Sequence, residues 1–122
     1  MRFRYARHTP NLDRITKFYT EIIGLSKLGD FQNHSHYDGV FLGFANSDWH
    51  LEFTSSNEKP QSYFDEDDAL VFYFSSKDEL EQKRSFLKRN GINTLKPKNP
   101  YWEENGIMIQ DPDGYKVIFS VR

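Results

Sequence analysis

Four histidines and no cysteine limit the chemistry open to this 122-residue chain. Without thiols there is no disulfide, thiolate ligand or cysteine nucleophile, so a metal would need histidine and carboxylate ligands. The stretch DWHLEF, residues 48–53, alternates apolar and polar side chains. As a strand it turns Trp49, Leu51 and Phe53 to one face and His50 and Glu52 to the other. In the opening run MRFRYARH the same period puts Arg4 and His8 on a shared face. Two imidazoles and a carboxylate facing one cavity could hold a divalent metal, and either histidine beside Glu52 could act as a general base. The plainer reading is favoured: His8 ends a strand at a rim and His50 pairs locally, since no HExxH-like spacing is present.

The other candidates are weaker. His34 and His36 in NHSHYDG read as solvated hairpin-loop residues rather than a metal clip. No GxSxG elbow, Walker loop or GxGxxG occurs, so neither an acyl-transfer serine nor a phosphate cradle is indicated. Lys96 and Lys98 fall in a polar loop. Lys116 shares a strand face with Ile118 and Ser120, where a solvated rim charge is the better reading than a Schiff-base lysine. Tyr101 and Trp102, in the loop before a strand, could form a cavity lid or staple a module edge.

These residues must be positioned by elements that the pattern makes legible. Leu12, Ile15, Phe18, Tyr19, Ile22 and Ile23 recur mostly at spacings of three and four, predicting one helix capped by Asn11 and ended by Gly24. A second helix follows the capping box of Ser76 and Glu79 and closes at Asn90 and Gly91. Each helix follows a short strand and precedes three strand-like runs. The runs are 25–31, 40–44 and 49–53 in the first half, and 92–95, 106–110 and 115–121 in the second. The order strand, helix, strand, strand, strand therefore occurs twice, as a repeat of elements more than of letters. Module 1 spans about 1–54 and module 2 about 69–122, with a polar, acidic linker over 55–68.

Composition narrows the partners. A net charge of -2 gives no general attraction to nucleic acid. No apolar run approaches the roughly 20 residues of a membrane span, and the N-terminal stretch lacks the apolar core of a secretory signal, so a cytoplasmic protein is expected. Aromatic residues make up 16% of the chain, enough to supply both a core and the lining of a ligand cavity.

The doubled element order, with FYTEIIGL ending the first helix and DPDGYKVIFS near the chain's end, resembles the vicinal oxygen chelate superfamily. That superfamily includes glyoxalases, extradiol dioxygenases and bleomycin-resistance proteins. The resemblance covers nearly the whole chain, and Trp102, nine residues before Asp111, tilts it toward the bleomycin-resistance branch. It implies an α+β fold of two βαβββ modules forming a cup-shaped, antiparallel-rich mixed sheet with helices outside, the ligand site in the cup between the modules, and a homodimer.

Metal-using members take one ligand from the first strand and one from the last strand of each module. Carried over, those positions are Arg4, Glu52, Ala69 (give or take one residue) and Ile118. Only Glu52 could bind a metal, and a stable site wants three or four ligands. A guanidinium about 4 Å from a divalent ion would cost on the order of 8 kcal/mol at an effective dielectric of ~20. No metal or other cofactor is therefore expected, with Arg4 supplying the positive charge and pairing with Glu52.

The resemblance and the residues together imply a metal-independent protein that binds a small organic molecule. Arg4, His8, His50, Glu52, Tyr101, Trp102 and Ile118 are its candidate ligand-binding residues. The alternative is a lyase, isomerase or dioxygenase whose divalent metal, such as Zn, Ni, Fe or Mn, has moved to His8, His50 and Glu52. A third reading is a dimer-forming or partner-binding module with no small ligand.

Overall fold

Alternation and capping build two units of the same plan. In the computed structural model, which describes residues 1–122, they are Met1–Ser62 and Tyr63–Arg122. The fold is α+β, two modules of the βαβββ type. In the first unit, strands β1 (Phe3–His8), β2 (Ser26–His34), β3 (Tyr37–Gly43) and β4 (Trp49–Ser55) form one sheet ordered β1-β4-β3-β2. β1 runs parallel to β4, and the other two ladders are antiparallel.

The first helix begins as the sequence predicts. Asn11 is extended and its side chain accepts the Arg14 N–H at 3.0 Å, starting α1 (Leu12–Lys17). The α-helix does not continue to Ile23, however. From Phe18 to Ile23 the backbone winds as a wider π-helix, ending at Gly24, whose φ of 100° suits a residue without Cβ. Hydroxyl bonds from Thr16 to the Leu12 carbonyl (2.7 Å) and from Thr20 to the Thr16 carbonyl (2.9 Å) run along this segment. Such back-bonding bends helices. Ile15, Phe18, Tyr19 and Ile23 are buried with Val40, Leu42, Leu51 and Phe53, and the Tyr19 ring lies 4.9 Å from that of Phe53. The core therefore occupies the face of the sheet that carries Leu51 and Phe53, as alternation requires.

The second unit has β5 (Ala69–Phe74), α2 (Lys77–Arg89), α3 (Pro100–Asn105), β6 (Gly106–Gln110) and β7 (Lys116–Val121), with a sheet ordered β5-β7-β6. Ser76 caps α2 by accepting the Glu79 N–H at 3.2 Å, and its hydroxyl donates to the Glu79 carboxylate rather than leaving that carboxylate to the Ser76 backbone N–H. α2 packs on the face that carries Phe72, Phe74 and Phe119. Lys83 lies over the rings of Phe86 and Phe119, and burial lowers its pKa from the usual lysine value.

Two expectations are corrected in this unit. The run 92–95 is not a strand: only Leu95 pairs, through a single bridge to Met108. Pro97 and the start of α3 soon after leave no length for a ladder. Tyr101 and Trp102 lie on that helix rather than in a loop, because Asn99 caps it through the Tyr101 N–H and Pro100 occupies its first turn. The DPDG turn is closed by the Asp111 carboxylate, which accepts N–H groups of Asp113 (2.9 Å) and Tyr115 (3.0 Å). No helix is long and apolar enough to cross a membrane.

Candidate functional site

The face of the first sheet opposite its core is polar, and the strand registers set out its residues in three rows. One row is Arg4, His50 and Gly43. The next is Ala6, Glu52, Phe41 and Gly29. The third is His8, Thr54, Gly39 and Phe31. Paired residues in neighbouring strands point the same way, so a period of two along each strand becomes a two-dimensional surface.

Arg4 is the centre of this surface. Its Nε donates to His50 Nε2 at 2.9 Å, its Nη1 lies 3.5 Å from Glu52 Oε1, and its guanidinium carbon sits 5.0 Å from the Phe41 ring centroid. Because His50 Nε2 accepts this bond, that nitrogen carries no proton in this arrangement. The His50 ring meets Phe41 edge-on at 5.8 Å, and Phe41 meets Phe31 at 5.7 Å. The pairing of Arg4 with Glu52 expected from the sequence is present, and His50 is a second partner for the same guanidinium.

His8 is held apart from this group. Its Nε2 lies 3.0 Å from the Glu58 carbonyl oxygen and 3.1 Å from Ser56 Oγ, while Nδ1 is 2.8 Å from Thr54 Oγ1. A carbonyl only accepts, so Nε2 bears the hydrogen and Thr54 donates to Nδ1. Both ring nitrogens are engaged, fastening β1 to Thr54 of β4 and to the segment after it.

These partners answer whether the residues fit a divalent metal. No group of three or more His, Cys, Asp or Glu side chains could hold one. His8, His50 and Glu52 are not gathered into a ligand set, and a guanidinium stands beside the one family-position carboxylate. The residues do not fit the metal.

In the second unit the corresponding face is different. The registers match: Arg4 lies two residues before Ala6, the partner of Glu52, and Ala69 lies two residues before Val71, the partner of Ile118. Ile118 is 2% exposed and pairs with Met108, also buried. Ser120 Oγ donates to the Asn105 carbonyl at 2.6 Å and ties β7 to α3. On α3 the rings of Tyr101 and Trp102 meet edge to face at 4.9 Å, Tyr101 being exposed. Lys116 lies over Phe64 at 5.6 Å.

Phe31, Phe41 and the glycines of this face, Gly29, Gly39 and Gly43, were missed in the sequence. A Cβ on Gly39 would come within 2.2 Å of the Phe31 ring, so that ring lies across the bare backbone of its cross-strand partner. The signal existed in GVFLG, where Gly39, Phe41 and Gly43 alternate with Val40 and Leu42. An unbroken apolar run hides which set faces the core, and only pairing with β4 decides it.

Residues 3–54 match the YycE-like N-terminal domain family and residues 67–120 the YycE-like C-terminal domain family. The chain belongs to the YycE-like family. It is 40% identical over 119 residues to the uncharacterized protein YycE of Bacillus subtilis (strain 168), spanning 95% of this chain and 84% of that one. The 2.0 Å crystal structure of a YycE protein of unknown function from Bacillus subtilis, named as a candidate glyoxalase/fosfomycin resistance protein, superposes with a TM-score of 0.85 at 39% identity. That match covers 99% of this chain and 89% of the other. The trypanothione-dependent glyoxalase I of Leishmania major shares the fold at a TM-score of 0.74 and 21% identity, over 97% and 84% of the two chains. TnmS3, an antibiotic binding protein from Streptomyces sp. CB03234, shares it at 0.69 and 19% identity, over 99% and 94%. Solved structures that share the fold include proteins named glyoxalase, glyoxalase/bleomycin resistance protein and fosfomycin resistance protein, of the vicinal oxygen chelate superfamily that the doubled element order and DPDG motif resemble.

Proposed function

We propose that this protein binds a small organic molecule without a metal, using the polar face of its first sheet. The observation that carries the reading is Arg4: at a position where metal-using members of the superfamily place a ligand, it holds a guanidinium engaged with His50 and Glu52. A fixed cation there does part of the electrostatic work of a metal ion while requiring no ligand set. Phe31 and Phe41 offer apolar area and ring faces for affinity, and Arg4, His50 and Glu52 offer directional groups for orientation. His8 supports the face by fixing the segment at its edge. That a relative in fold is named an antibiotic binding protein is a precedent for small-molecule binding on this scaffold. The reading also has the protein acting in the cytoplasm as a homodimer, which light scattering of the purified protein would test as a mass twice that of one chain.

The deciding experiment pairs elemental analysis of the untagged protein, after incubation with zinc, nickel, iron and manganese, with a fragment-binding screen. Metal far below one per chain is expected, together with ligands whose affinity survives chelation and falls about tenfold or more in Arg4→Ala, the scale of a lost charge-assisted hydrogen bond. Near-stoichiometric metal lost in His8→Ala would replace this reading with that of a metal-dependent lyase, isomerase or dioxygenase.

A further inference from the structure

The Arg4 guanidinium has five N–H donors in a planar fork. One goes to His50. The contact from Nη1 to Glu52, 3.5 Å, is longer than the roughly 2.7–2.9 Å of a tight charge-assisted bond. Nη2 and Glu52 Oε2 take no part in either contact, so the pair keeps donor and acceptor capacity for a ligand. The two charges also differ in exposure: the Arg4 side chain is 51% accessible and that of Glu52 13%. The carboxylate is therefore less screened by water and weighs more heavily on whatever approaches. Beside it Ala6 is small and exposed, leaving room, and the neighbouring Phe41 and Phe31 rings, tilted 44° to each other, offer apolar area.

We infer that this face selects planar, uncharged aromatic ligands bearing a hydrogen-bond donor next to an acceptor, such as a primary amide or lactam, and rejects the matching carboxylates. The inference rests on the ligand-binding reading above and deepens it. An amide oxygen accepts from Arg4 while its N–H donates to Glu52, and the ring lies against the phenylalanines. A carboxylate also pairs with Arg4, but it brings a second unprotonated oxygen against Glu52, where like charges repel. Glu52 is then a specificity-determining residue. It works by exclusion, as selective sites commonly do.

The test is a titration of the 15N-labelled protein at pH 7.5 with indole-2-carboxamide and indole-2-carboxylate, read from amide shifts of residues 39–43 and 50–54. In the unaltered protein the carboxamide binds about tenfold or more tighter. In Glu52→Gln, which keeps an acceptor oxygen and loses the charge, the carboxylate gains roughly tenfold and the preference closes or inverts. Comparable spectra of the two proteins without ligand check that the fold is retained. Shifts on this face with equal or tighter binding of the carboxylate in the unaltered protein would overturn the selectivity and leave the ligand-binding reading standing. A preference for the carboxamide that survives unchanged in Glu52→Gln removes Glu52 as its cause and overturns the inference. A face that moves with neither probe at millimolar concentration overturns the ligand-binding reading and the selectivity with it.

Discussion

Glu52 in β4 and Ile118 in β7 occupy equivalent points of two similarly built sheets, each two residues out of register from a matching residue on a parallel first strand. Around Glu52 stand Arg4, His50 and Phe41, partly open to solvent. Around Ile118 stand Met108 and Val71, with α3 tied to the same strand through Ser120. The scaffold is repeated and the chemistry is not. A sheet face needs about the same backbone hydrogen bonding whether it carries charges or methyl groups, so one half can keep polar groups available while the other uses the same positions for packing.

The comparison can be broken most decisively at Ile118. Ile118→Glu restores the carboxylate usual in metal-using members and sets it where the present residue is 2% exposed. An uncompensated buried charge costs about 3–5 kcal/mol, to be read as a lower denaturant midpoint. An undiminished midpoint would mean that this face tolerates charge as the first one does. The shared scaffold is examined at the two caps. Asn11→Ala and Ser76→Ala should each cost about 1 kcal/mol, since each removes an acceptor for an orphan helix N–H. Clearly unequal losses on thermal unfolding would show that the repeat is formal rather than energetic.

Smaller still is the effect expected on the polar face. Glu52→Ile should change stability by less than about 1 kcal/mol, because the pair is long and its Arg4 partner is half in water. A loss as large as that of Ile118→Glu would mean that the first face is also there for stability. The subtlest expectation concerns Lys83, whose burial favours the neutral amine. Its folded-state pKa lies below the unfolded value of 10.5, so the folded protein binds fewer protons between the two. The contribution of Lys83 to stability therefore rises with pH across that window. A direct 15N-lysine titration should find Lys83 deprotonating before the exposed lysines, and a value at or above theirs would contradict the burial account.

Much of the fold was legible because its signals are local. Asn11, Ser76, Gly24 and the DPDG turn act on atoms a few residues away, and the alternation in DWHLEF follows from strand geometry alone. The failures share a cause in what lies farther off. The run GINTL has strand-like residues but finds a ladder partner only at Leu95. The spacing of Leu12 to Ile23 satisfies an α-helix as well as the wider winding after Lys17, where Phe18, Tyr19 and Ile23 are buried.

The site divides along the same line. Sequence alone determined that Arg4 shares a strand face with His8, and His50 with Glu52, since a period of two needs no partner strand. It also determined that no cysteine ligand exists and that Ile118 cannot be an acid. Only the tertiary structure decided that β1 lies beside β4 in a register pairing Arg4 with His50. The same pairing fastens His8 to Thr54 rather than to the Arg4 group, and pairing with β3 sets Phe41 beneath the guanidinium. The contacts of Arg4 with His50 and of His8 with Thr54 join residues 46 positions apart in sequence, and non-local pairing of strands is fixed by the burial of their opposite faces, which no single strand's sequence contains.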